Sequence, residues 1–146
     1  MNGNDREKWD AQDLIQWQEA RRWLTKADED LAAAQRLLPE VVNQAAFHVQ
    51  QALEKTLKAL MVAKRQQIRK THDISLLMSL VRPLWPSLIP QRFPIAELTE
   101  WYVASRYPGL DEVALTVSDV TAALALVADF MIVVRGCGPP ESIRGG

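Results

Sequence analysis

Apolar positions recur along the chain at helical spacing in five segments. Trp17, Ala20, Leu24, Ala27, Leu31, Ala34 and Leu38 step by three and four, which predicts a long amphipathic helix over about 13–38. Glu19, Arg22, Lys26 and Glu29 take its other face, and Pro39 stops it. A second helix over about 40–64 carries Val42, Ala46, Val49, Leu53, Leu57 and Leu60. Leu38 and Val42 nearly abut, so these two helices should form an antiparallel hairpin. After a hydrophilic connection, Thr71 or Asp73 is placed to cap a third helix with Ile74, Leu77, Leu80, Val81 and Leu84 inward. Pro83, Pro86, Pro90 and Pro94 punctuate the loop that follows. A fourth helix should start near Pro94 and end before Pro108, using Ile95, Leu98, Trp101 and Tyr102. The last helix should start at a Ser118 cap and run to Val134 or Arg135. Its stripe is Val120, Leu124, Val127, Phe130, Met131 and Val134, and its other face is also poor in charge. Such a helix wants two partners, so it is either central or part of a dimer interface. No alternating strand pattern occurs. The expected fold is all-α, a bundle of four to five helices over 14–135, between a polar tail at 1–13 and a loose Gly/Pro tail at 136–146.

The length of 146 residues, 48% of them hydrophobic, suits one domain with a real core. A single cysteine, Cys137, forms no internal disulfide, and with two histidines it supplies no standard zinc site. The polar start lacks the apolar core of a signal peptide, and the apolar run Val120 to Val134 looks too short for a bilayer. A cytoplasmic chain with no membrane partner is expected. The net charge of -1 argues against a dedicated duplex-DNA binder. It is nevertheless a sum of unlike parts. From Lys55 to His72 there are six basic residues and no acid, whereas Glu97 to Asp129 holds six acids and Arg106 alone as a base. The basic segment attracts phosphates or an acidic partner, or else complements the helix dipole.

Candidate chemistry gathers on that segment. Gln44, His48, Gln51, Lys55 and Lys58 share one face of the second helix, which reads either as a solvated face or as a polar groove for an anion. Arg69 extends it into the loop. His72 and Asp73 serve as loop residue and cap, or His72 offers a proton or hydrogen bond to phosphate. Arg106-Tyr107-Pro108 stops the fourth helix, or offers a planar fork for phosphate beside a ring for stacking. No glycine-rich phosphate loop, His-Glu-x-x-His or converging carboxylate set is present, so no cofactor or metal is expected.

Taken together, Trp23-Leu24, Asp30-Leu31 and Ala34, the run Ala46-Phe47-His48-Val49-Gln50-Gln51-Ala52-Leu53-Glu54-Lys55 through Leu57-Lys58-Ala59-Leu60, Thr71-His72-Asp73 with Leu76-Leu77, and Arg106-Tyr107-Pro108 resemble the HEPN family of small helical proteins, over roughly 17–134. The resemblance implies a five-helix up-and-down bundle that dimerises. It also implies nucleotide binding and a small nucleotidyltransferase partner in a toxin–antitoxin-type pair. One branch of the family cleaves RNA without metal, using an Arg and a His a few residues apart on a late helix. Here Arg65 and His72 alone fit that interval, and they lie in the connection after the second helix. The expected function is therefore binding of nucleotide or RNA phosphates and of a nucleotidyltransferase through His48, Gln51, Lys55, Lys58, Arg69, Asp73, Arg106 and Tyr107. The alternatives are a metal-independent ribonuclease with His72 and Arg65 as its catalytic pair, and a structural dimerisation module.

Overall fold

The computed structural model describes residues 8–89 and 115–143. The expected fourth helix, with Arg106 and Tyr107, lies outside the described residues. Helix α1 spans Ala11–Leu37, α2 Val42–Ala63, α3 Ile74–Val81 and α4 Val117–Gly136, with a short 3-10 turn at Glu141–Ile143. The described residues contain helices and no strands, so the all-α bundle is borne out.

Each start but one has a chemical cause. Asp10 accepts a hydrogen bond from the Asp13 amide at 2.7 Å, and Asp13 accepts one from the Asp10 amide at 3.1 Å. This reciprocal cap begins α1 at Ala11, within the stretch expected to be a loose tail. Asp73 caps α3 by accepting from the Leu76 amide at 3.1 Å. Thr116 and Asp119 cap α4 reciprocally, so the helix starts ahead of the expected Ser118. A Thr followed three positions on by an acid satisfies two orphan amides where Ser118 would satisfy one. Helix α2 has no side-chain cap and follows the hairpin turn at Leu38-Pro39 directly.

Helices α1 and α2 run antiparallel and bury Trp17, Ala20, Leu24, Ala27, Val49, Leu53, Leu57 and Leu60 between them and their neighbours. Helix α2 packs on α1, α3 and α4 alike and is buried on almost all sides from Gln50 to Ala63. It, rather than α4, is the central helix. Helix α4 turns Val120, Val127, Phe130, Met131 and Val134 inward and leaves Ile132 and Val133 exposed. At 20 residues and a mean hydropathy of 2.0, α4 is long and apolar enough to cross a membrane by length and composition, contrary to the expectation from the shorter run. In this fold it packs along the bundle, and Arg135 at its end pairs with Asp28 of α1.

Beyond α4 the chain stays in contact with the core. Pro139 is buried, and Gly138 lies flat against Trp17, where an added Cβ would meet the ring's Cε3 at 2.9 Å. Only glycine permits this approach. The tail expected to be loose from residue 136 is thus fixed at its beginning.

Candidate functional site

The polar face of α2 is neutralised from within. Asp30 of α1 sits in the apolar stripe between Ala27 and Ala34 and reaches across the hairpin. His48 donates from Nδ1 to Asp30 Oδ1 at 2.9 Å, and the Lys55 ammonium pairs with Asp30 Oδ2. Next to Lys55 in the chain, Glu54 accepts from Lys58 Nζ at 3.1 Å and from His72 Nδ1 at 2.8 Å. Glu54 and Lys58 are both almost wholly buried, with side chains 4% and 8% exposed. The Lys58 ammonium also lies 5.8 Å from the centroid of the Trp23 ring. A buried charge is tolerated only with a partner, so this seam is a folded-state requirement before it is anything else.

This geometry changes the meaning of the expected phosphate groove. His48, Lys55 and Lys58 are brought together on one seam, yet each is held by a carboxylate. Gln51 is buried, and its Nε2 has no partner among the described residues. Asp73 is committed to capping α3. Gln50, next to Gln51, is fully buried, with neither side-chain polar atom partnered among the described residues.

Arg65 and His72 do not converge. Arg65 closes α2 in the left-handed region at φ 62, where glycine is usual. Its amide donates to Val62 O at 2.9 Å and the Gln66 amide to Met61 O at 3.0 Å, which satisfies the last carbonyls of the helix. The strained backbone is tied down by the side chain: its Nη2 donates to Asp10 at 3.2 Å and to Asp13 at 3.0 Å. These bonds hold the Asp10 carboxyl below its ordinary value, chiefly through the Asp13 amide and then through Arg65. The His72 imidazole instead sits at Glu54, nine residues before the end of α2 and so roughly 14 Å along its axis. A catalytic pair needs both groups on one phosphate, and this arrangement separates them.

The loop that leaves α2 is different. Lys64, Arg69 and Lys70 are exposed and have no carboxylate partner among the described residues. Arg65, Gln66, Gln67, Ile68 and Arg69 line a hollow of about 640 Å³ against Met61, Leu80 and Leu84. Of the two cations that line it, Arg65 is held by Asp10 and Asp13 and Arg69 has no carboxylate partner among the described residues, and an uncompensated cation at a concave surface attracts anions.

The HEPN domain family matches residues 20–137. The chain belongs to this family. The HEPN match covers the hairpin from residue 20 onward, the polar seam, the basic loop and α4. Among solved structures, this HEPN chain is similar to TT1696 from Thermus thermophilus, with a TM-score of 0.65 and 28% identity. The likeness covers 80% of this chain and 96% of that one. No curated protein matches the chain.

Two features were missed in the sequence. The acids Asp30 and Glu54 are the organising groups of the seam, and apart from Lys58, four positions from Glu54, their partners lie 18 to 25 positions away. Asp30 had a signal: a carboxylate between two stripe alanines demands a cation. The second is a row of tryptophans at the far end of the hairpin, whose members are separated by up to 76 positions (Trp9 to Trp85).

Proposed function

We propose that this HEPN chain binds phosphate-bearing ligands, RNA foremost, through the basic loop that follows α2 rather than through the polar face of α2. The observation that carries this reading is the contrast among its cations. Lys55, Lys58 and Arg65 are paired to carboxylates, whereas Lys64, Arg69 and Lys70 have no such partner among the described residues. A cation already held by a carboxylate gains little from a phosphate; one without such a partner gains the full attraction, and of these Arg69 lines the hollow. Arg106 and Tyr107, beyond the described residues, remain candidates for the same ligand.

The family points further, to a homodimer, a small nucleotidyltransferase partner and a toxin–antitoxin-type pair in the cytoplasm. The exposed Ile132 and Val133 of α4 support a second copy as one neighbour. A catalytic role for Arg65 and His72 gains no support from their separation. The reading is tested by fluorescence polarisation of a labelled single-stranded RNA. The double variant Arg69→Glu, Lys70→Glu should bind at least about ten-fold more weakly at low salt. Equal binding by the variant and the unaltered chain would remove the site.

A further inference from the structure

At the open end of the α1–α2 hairpin, Arg65 holds the left-handed backbone at φ 62. Glycine would close the helix there with less strain, so the arginine side chain has a use of its own. Its guanidinium meets two carboxylates. Nη2 donates to Asp10 Oδ1 and Oδ2 at 3.2 and 3.3 Å and to Asp13 Oδ1 at 3.0 Å. Nε and Nη1 have no partner among the described residues, so the fork is engaged at one nitrogen. The two acids are themselves fixed, because each accepts the other's amide in the α1 cap.

This cluster differs from the other paired cations of the hairpin in its access to solvent. The side chains of Arg65, Asp10 and Asp13 are 49%, 64% and 31% exposed, whereas those of Lys58 and Glu54 are 8% and 4% exposed. Separating Lys58 from Glu54 would strand a buried charge, but an exposed pair contributes little and exchanges readily. Releasing Arg65 also leaves the α1 cap intact, since the cap bonds run between Asp10 and Asp13 alone. Arg65 borders two hollows. One, of about 640 Å³, it shares with Arg69; the other, of about 380 Å³, it shares with Asp13 and Lys64. Asp13 does not line the larger hollow. A phosphate there offers the guanidinium a two-point, charge-assisted contact, where the carboxylates share a single nitrogen.

We infer that Asp10 and Asp13 form an autoinhibitory latch on Arg65, and that an RNA phosphate in the larger hollow displaces them and recruits Arg65 beside Arg69. The inference rests on the phosphate-binding reading above and adds regulation to that same site. It is tested on the full chain with a labelled single-stranded RNA, by fluorescence polarisation across a salt series. Asp10→Asn with Asp13→Asn keeps the cap acceptors and removes the latch charges. This variant should bind about five-fold more tightly at low salt, the scale of an exposed ion pair. Its salt slope should be steeper by about 0.7, for one added phosphate contact. Glu19→Gln with Glu29→Gln, the same change of charge elsewhere on α1, should leave the slope unaltered. Adding Arg65→Asn, a residue at ease in the left-handed region, should abolish the gain of the latch variant. Circular dichroism establishes that each variant is folded. Should the double variant not fold, Asp13→Asn alone carries the test and should tighten binding about two-fold. A latch variant that binds no more tightly than the Glu19, Glu29 control, or a gain that survives Arg65→Asn, overturns the latch. RNA binding that still depends on Arg69 and Lys70 would then leave the reading above standing.

Discussion

His72 donates from Nδ1 to Glu54 Oε1 at 2.8 Å, on the carboxylate that also accepts from Lys58. One buried acid thereby fixes the entry to α3 and neutralises an ammonium inside the bundle. Glu54→Gln should strand the Lys58 charge and destabilise the chain by about 3 kcal/mol in urea unfolding. The double variant Glu54→Leu, Lys58→Met removes both charges and should recover most of that loss. A single variant as stable as the unaltered chain would show that the seam does not hold the bundle.

Gly138 has a steric role of equal clarity. Gly138→Ala drives a methyl to 2.9 Å from the buried Trp17 ring, so either the tail lifts or the ring shifts. The expected cost is about 1–3 kcal/mol, read as a lower thermal midpoint. Gly136→Ala, where nothing lies within 4 Å of the added methyl, is the matched control and should escape the clash.

Acid acts at the same, open end of the hairpin, on the α1 cap. The Asp10 carboxyl is held below its ordinary 3.8, first by the Asp13 amide and then by Arg65. A carboxyl lowered on folding contributes stability that is complete above its unfolded value and lost as the pH falls through the folded one. The α1 cap should therefore weaken only below about pH 4. Asp10→Asn keeps the cap geometry, loses the Arg65 pair and should flatten this acid limb in a pH series of unfolding midpoints.

The hairpin was legible because both stripes keep helical period and Pro39 marks the turn. The α3 cap was legible because Asp73 directly precedes an apolar run. The placement of α2 at the centre was not, since His48, Lys55 and Lys58 read as a wet face until Asp30 and Glu54 are known to meet them. The Glu54–Lys58 pair is local, but the pairs of Asp30 with His48 and Lys55 and of Glu54 with His72 span 18 to 25 positions and leave no local pattern. The start of α4 was misread for a local reason: Ser118 is a good cap by type, but Thr116 has Asp119 three positions on. The basic segment was seen whole; only the structure divides it into Lys55, Lys58 and Arg65, each held by a carboxylate, and Lys64, Arg69 and Lys70, which have no carboxylate partner among the described residues.

That division is tested most directly by the salt dependence of RNA binding. The affinity of a labelled single-stranded RNA is measured across a potassium chloride series for the unaltered chain, Arg69→Glu with Lys70→Glu, and Lys55→Gln. The unaltered chain should show log affinity falling linearly with log salt. The loop variant should be shallower by about 1.4, from about 0.7 per lost phosphate contact. Lys55→Gln, whose ammonium belongs to Asp30, should run parallel to the unaltered chain while unfolding more easily. An unchanged slope in the loop variant, or an equal loss of slope in Lys55→Gln, would contradict the account.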